Sequence, residues 1–251
     1  MMYDILMPAA EKDFVKFRFA YDSVIKNLSG FDKIHCISNV KFPQRLLISG
    51  VEYYLDKDVI DFDFSLFRGK VKAVSTWYIQ QFIKLFQQVT ADDYLEVDSD
   101  IVFNRPVDII RNGKPTFFFG KDQHHLPYFR FMKEMLDLEK MYHHSFINET
   151  MYFKREIIEH MVASTGLTKY GFFTKAVSIL NEINETSGLA EYELYGNYVT
   201  KYFREAYNYK HIRTHVGGKS VRWTEDEVKE YINFYKDKDY DMVGLHTWEK
   251  V

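Results

Sequence analysis

Hydrophobic and polar positions alternate between two periods along this chain. Tyr3-Asp-Ile-Leu-Met-Pro8 is a short apolar run closed by proline, which predicts a strand. From Phe14 to Leu28 the period changes: Phe14, Phe17, Tyr21, Val24, Ile25 and Leu28 recur at helical spacing, and Gly30 stops the helix. Lys33 to Ser38 and Gly50 to Tyr54 are predicted strands. Thr76 to Gln88 is a predicted helix whose Trp77, Phe82, Ile83, Leu85 and Phe86 form one buried face. Tyr94 to Val97 and Thr116 to Gly120 complete the strands of the first half.

Strands alternating with helices over residues 1–120 indicate a layered α/β sheet. Parallel sheets of this kind bind ligands beyond the carboxyl ends of their strands. That rule puts Pro8 to Asp13, Ser38 to Arg45 and Asp98 to Asp100 on one rim. From about Gln123 onward the pattern turns to helices joined by His- and Tyr-rich connections, expected to cover the rim. No Pro/Gly/Ser linker interrupts the chain, so residues 1–251 are expected to form one unit.

Composition narrows the function. The net charge is −3, and no basic stretch is long enough to track a phosphate backbone, which speaks against nucleic acid as a partner. No apolar run is long enough to span a membrane, and Met1-Met2 leads directly into the first strand, so no export signal or anchor is expected. The single Cys36 fits a reducing compartment, and a cytoplasmic location is expected. Aromatic residues reach 18%, enough to pack the core with rings and to leave some for a flat ligand such as a base or a sugar.

The segment that carries chemistry is Leu95-Glu-Val-Asp98-Ser-Asp100-Ile-Val-Phe103. Two carboxylates one residue apart, where an apolar strand breaks, can converge on a hard cation. Mg²⁺ and Mn²⁺ prefer such oxygen ligands and keep positions open for water and substrate phosphates. The plainer reading of the triplet is a solvated turn. Upstream, Gln81 and Lys84 lie three apart on one face of the predicted helix. Lys84 is placed to meet a phosphate or to pair with the acidic turn; both residues also fit the wet face of an amphipathic helix.

Trp77-Tyr78-Ile-Gln80-Gln81-Phe-Ile-Lys84-Leu followed by Tyr94-Leu-Glu-Val-Asp98-Ser-Asp100-Ile-Val-Phe-Asn-Arg105-Pro106 resembles a group of small GT-A glycosyltransferases found in bacteria and large viruses. Ser145-Phe-Ile-Asn-Glu-Thr-Met-Tyr-Phe153 and Glu191-Tyr192-Glu193-Leu-Tyr195-Gly196-Asn197-Tyr198 extend the resemblance in order to about residue 200. The resemblance implies a GT-A-like fold: a mixed, mostly parallel sheet flanked by helices, with a helical acceptor lobe. Residues 1–120 would be the nucleotide-sugar-binding half. Residues 121–251 would hold the acceptor-binding half and a C-terminal segment of the metal shell.

The implied activity is metal-dependent transfer of a sugar from a nucleotide diphosphate, expected to be a UDP-sugar, to a glycan or other sugar. Asp98 and Asp100 would hold Mn²⁺ or Mg²⁺. Many GT-A enzymes add a late histidine; His246, in Met242-Val-Gly-Leu-His246, is the first choice. His215 is the second, with Gly217-Gly218-Lys219 as a loop over the diphosphate. Donor candidates are Pro8, Ala9, Arg45, Trp77, Gln81, Lys84 and Ser99. Acceptor candidates are Asn148, Glu149 and Tyr195. Glu191 is the candidate base for an inverting transfer. A helix N-terminus, which favours acidic side chains, also accounts for Glu191 and Glu193 without catalysis. His124-His125 and His143-His144 point to different sides of any regular element and form no chelate by themselves.

Two rivals stand beside this reading. A phosphatase of the haloacid-dehalogenase type also uses Asp-x-Asp, but on the first strand of its domain, whereas here about a hundred residues precede the pair. A non-catalytic glycan-binding protein on a transferase fold is the other, since fold alone does not fix function.

Overall fold

The computed structural model describes residues 2–70, 72–120 and 124–247; Gln123, near which the character of the sequence changes, lies outside them. The elements run β1 (Tyr3–Ala9), α1 (Phe14–Asn27), β2 (Phe31–Ser38), β3 (Val51–Leu55), α2 (Asp56–Val59), α3 (Lys72–Phe86), β4 (Asp93–Val97), β5 (Ile101–Phe103), β6 (Ile110–Arg111) and β7 (Lys114–Phe119). They continue as α4 (Leu126–Leu136), β8 (Thr150–Lys154), α5 (Arg155–Ala163), α6 (Lys169–Ile183), α7 (Glu191–Tyr202), β9 (Asn208–His211), β10 (Thr214–Lys219), α8 (Glu225–Tyr235) and β11 (Met242–Thr247).

The main sheet has the order β3-β2-β1-β4-β8. Its first four strands are parallel and β8 closes the edge antiparallel to β4. The result is a mixed, mostly parallel sheet flanked by helices. Every residue of β1 is buried, as expected of a central parallel strand covered on both faces. Its one charge, Asp4, is paired at 3.0 Å with His35 Nε2 on β2 and accepts the Ala91 amide.

The second half is not helical throughout. It sends β8 back to the main sheet, β9 to the edge of β7, and β10 and β11 to β5. The β10-β11-β5 sheet has a consequence for the site: β11 lies antiparallel to β5, and β5 follows directly on the Asp98-Ser-Asp100 turn. Gly217, Gly218 and Lys219 are the end of β10, in register with Leu245, His246 and Thr247, so the expected mobile loop is a strand. Gly217 leaves room there for Tyr231 of α8, since a Cβ on it would fall 1.9 Å from the phenol oxygen.

Most of the aromatic surplus is core. Phe62, Phe67, Tyr78, Phe82, Phe86 and Phe173 pack edge-on and face-on between α3 and α6. Ile25 departs from the expected buried stripe of α1 and is exposed, while Lys16 on the same helix is fully buried. Among the described residues no helix is long and apolar enough to cross a membrane.

Candidate active site

The parallel strands β1, β2 and β4 end on one rim, and α3 runs beside it. A cavity of about 140 Å³ there is walled by Pro8 and Ala9 from β1, Ile37 and Ser38 from β2, and Trp77 and Gln80 from α3. Trp77 and Gln80 also wall a second cavity of about 210 Å³, which adds Gln81, Lys84, Asp98, Glu149, Glu191 and His246. The two cavities thus share one helical wall, with the acidic turn inside the second.

The turn is built by backbone bonds. The Ile101 amide donates to Asp98 O at 3.1 Å, the Asp98 amide to Glu149 O at 3.1 Å, and the Leu245 amide to Asp100 O at 2.9 Å. Strand β4, the loop before β8 and strand β11 therefore meet at three residues. Each aspartate faces its own buried lysine. Lys84 Nζ lies 2.8 Å from Asp98 Oδ1, 2.9 Å from Glu191 Oε1 and 3.2 Å from Glu96 Oε1. Lys16 Nζ lies 3.3 Å from Asp100 Oδ2 and 2.5 Å from Asp13 Oδ1, and donates to Leu245 O and Thr247 Oγ1.

Charge sets the protonation of the first cluster. Burial disfavours the Lys84 ammonium, but Asp98, Glu191 and Glu96 together hold it well above the usual lysine value. Burial also raises Glu96 well above the carboxylate range; Lys84 opposes this, and Asp98 and Glu191 add to it. Glu96 takes a short hydrogen bond from the Tyr192 hydroxyl. Burial would raise Asp98 too, yet Lys84 and hydrogen bonds keep it below the ordinary value, so Asp98 stays ionised. Glu191 is raised by burial and offset in part by Lys84.

His246 sits on β11 with Nε2 3.6 Å from Glu149 Oε2. Burial would lower its pKa, but Glu149, Asp100 and Asp98 lift it to about 9. Three carboxylates therefore create a field at the imidazole that favours positive charge. With imidazole nitrogen beside carboxylate oxygens, Asp98, Asp100, His246 and Glu149 have the donor chemistry of a Mn²⁺ or Mg²⁺ site. As placed, no three such side chains among the described residues close into a metal-holding group. The fit is one of chemistry and position, with the lysines occupying one oxygen of each aspartate.

The structure brings together Pro8, Ala9, Trp77, Gln81, Lys84, Asp98, Glu149, Glu191 and His246 along these two cavities. Lys84 is buried, and its Nζ is already paired with Asp98, Glu191 and Glu96. Other expected residues lie elsewhere. Arg45 is exposed on a short turn outside both cavities, and Ser99 is buried and lines neither. Tyr195 is fully buried in α7; its hydroxyl takes the Lys154 amide and bonds Tyr207. His215 stacks on Tyr235 with ring centroids 4.3 Å apart. Glu193 is consumed by Ser145, the Phe146 amide and Asn197, a structural use of the acidic helix start. His125 bonds Ser187 O.

Lys16, Asp13, Glu96 and Tyr192 were missed from the sequence. A signal existed for two of them. Lys16 falls on the apolar stripe of α1 beside Phe17 and Ala20, and Glu96 interrupts the apolar run of β4; a charge in either place needs a partner.

A model described as a family of unknown function, DUF6492, matches residues 23–239, and the chain belongs to that family. No curated protein matches the sequence. Among solved structures, the chain is similar to an active-site mutant of LgtC, with TM-score 0.48 and 11% identity over 98% of this chain and 88% of that one. LgtC, described as a galactosyltransferase in complex with donor and acceptor sugar analogs, gives TM-score 0.46 and 10% identity over 96% and 86%. Mouse xyloside xylosyltransferase 1 gives TM-score 0.44 and 10% identity over 97% of both chains.

Proposed function

We propose that this member of the DUF6492 family is a GT-A-like glycosyltransferase that moves a sugar from a nucleotide diphosphate to a glycan or other sugar acceptor. The observation that carries the reading is the meeting of the Asp98-Ser-Asp100 turn with His246 of the C-terminal strand β11, within one anionic field at the second cavity. The ordered sequence motifs support the same reading and favour a UDP-sugar.

Asp98, Asp100 and His246 would hold Mn²⁺ or Mg²⁺, with Glu149 beside them. When bound, the ion supplies the positive charge that stabilises a leaving diphosphate. The chain's own residues do the remaining work. Pro8, Ala9 and Trp77 form the wall against which a nucleoside would lie, and Gln81 faces the second cavity near Asp98. Lys84 neutralises the carboxylates behind Asp98 and fixes that side chain. Glu191 reaches the cavity wall with one oxygen tied to Lys84. That fits a carboxylate orienting donor or acceptor, and also a base for inversion if its second oxygen takes the proton.

Calorimetry with UDP and GDP, with and without Mn²⁺, tests the assignment, together with donor hydrolysis and transfer by Asp100→Ala. The variant is expected to retain its circular dichroism and lose at least about 100-fold in rate, several kcal/mol of charge stabilisation being at stake. Undiminished turnover would remove the metal assignment. Absence of nucleotide binding in the wild-type chain would favour a non-catalytic glycan-binding protein.

A further inference from the structure

A third cavity, of about 370 Å³, lies on the far side of Glu149 and shares Ile147 and Glu149 with the cavity of the acidic turn. We infer that this cavity is a subsite for a neutral saccharide, the acceptor of the proposed transfer; the acceptor role rests on that proposal. Its volume falls within the roughly 300–1,000 Å³ of small-molecule sites.

Glu149, the dividing residue, has φ +71, a backbone region that non-glycine residues rarely occupy and that concentrates at ligand sites. Asn148, 3% exposed, gives its side-chain amide hydrogens to Phe118 O and Phe146 O. Those bonds fix the orientation of the amide and leave Oδ1 without a partner, and Thr214 Oγ1 is likewise unpartnered. Both residues line the cavity. Buried polar atoms without partners are uncommon in native folds and mark places where a ligand or water supplies the missing bond. Sugar hydroxyls donate and accept, so they suit an amide oxygen beside a threonine hydroxyl.

Charge and shape narrow the class. Arg213 on the cavity wall is already paired with Asp239 and Asp241, which offsets its pull on an acidic sugar. Glu149 would repel one. The Tyr240 ring and Ile212 offer an apolar wall for the C–H face of a pyranose. His211 is exposed at the edge of the same cavity, where a larger ring would obstruct entry.

Saturation-transfer NMR on the full chain, with a panel of neutral mono- and disaccharides that includes maltose and cellobiose, reads the site directly. A glucuronic-acid disaccharide serves as the charged comparison. Wild-type protein is expected to show transfer to at least one neutral sugar. His211→Trp is expected to weaken binding at least tenfold and Thr214→Val about fivefold. Transfer to none of the neutral sugars, stronger transfer to the acidic one, or binding left within twofold by both variants would overturn the inference. UDP titration of the same samples separates the two readings: UDP binding without a sugar effect removes the subsite alone. Sugar binding at this cavity without UDP binding removes the transferase reading and leaves the subsite.

Discussion

The two aspartates of the acidic turn sit two residues apart in unlike surroundings. Asp98 faces the helical side, where Lys84 is ringed by Asp98, Glu96 and Glu191. Asp100 faces the strand side, where Lys16 binds two carboxylates and also the Leu245 carbonyl and Thr247 hydroxyl of β11. On the helical side a single cation offsets several buried acids, so charge is what holds the arrangement. On the strand side the lysine is mainly a geometric tie that fixes β11, and with it His246, against the turn. A single Asp-x-Asp motif is therefore supported by two different devices, and they fail differently.

The largest effect is expected where charge governs. Lys84→Met leaves Glu96, Asp98 and Glu191 without their cation, and breaking a buried pair in this way costs about 3–5 kcal/mol. Urea denaturation at pH 7 measures it; a loss below about 1 kcal/mol would erase the contrast. Lys16→Met is expected to cost less, at the lower end of that range, about 3 kcal/mol. Burial and the nearby Asp100 already push Asp13 to about 6, against the pull of Lys16, so Asp13 takes up a proton readily once the lysine is gone. The same variant frees the end of β11, and Mn²⁺ affinity read by calorimetry is expected to fall about 10–100-fold, as for other residues that orient metal ligands.

How far the sequence foretold this differs between the sides. Strand and helix periods placed β1, α1, β2, α3, β4 and β7 within a few residues, and the rim rule placed Pro8, Ser38 and Asp98 together. The motif around Asp98 was plain because an acidic triplet at the end of an apolar strand breaks the local pattern. The strand side was not legible in the same way. Lys16 lies 84 residues from Asp100 and 229 from Leu245, and no local period encodes contacts of that range. Gly217 and Gly218 looked like a loop because glycine is rare in strands. The need for a close approach by Tyr231 is a tertiary fact that appears only when α8 is folded onto β10. Tyr195 failed for the opposite reason: a polar aromatic in a family-like motif reads as a ligand contact, while its hydroxyl serves the Lys154 amide.

His246 gives the strand side a pH signature of its own, in the range where an imidazole titrates. Its ordinary pKa near 6.5 rises to about 9 in the fold because Glu149, Asp100 and Asp98 outweigh burial. A raised histidine stabilises the fold fully below 6.5, and that contribution disappears as the pH climbs through 9. The imidazole is 24% exposed, so solvent screening reduces the effect to about 1–2 kcal/mol. Denaturation in chelator is expected to show the wild-type advantage over His246→Gln at pH 6 and its loss by pH 9.5. An advantage that grows with pH would contradict the assigned environment.

The smallest expected effect separates a charge tie from a hydrogen-bond tie most sharply. Thr247→Val keeps the volume of a buried side chain and removes only the hydroxyl that accepts from Lys16. Lys16 has three N–H groups facing Asp13, Asp100, Leu245 O and Thr247 Oγ1, so the loss of one acceptor leaves enough partners for every donor. A cost of about 1 kcal/mol is expected, within the range of one hydrogen bond to a charged group that can be re-formed elsewhere. Because no buried charge is orphaned, the cost is expected to be the same at pH 6 and pH 8, unlike that of Lys16→Met, where Asp13 changes protonation. A Thr247→Val penalty as large as that of Lys16→Met would mean that β11 is held by this one hydroxyl and that the lysine acts through it.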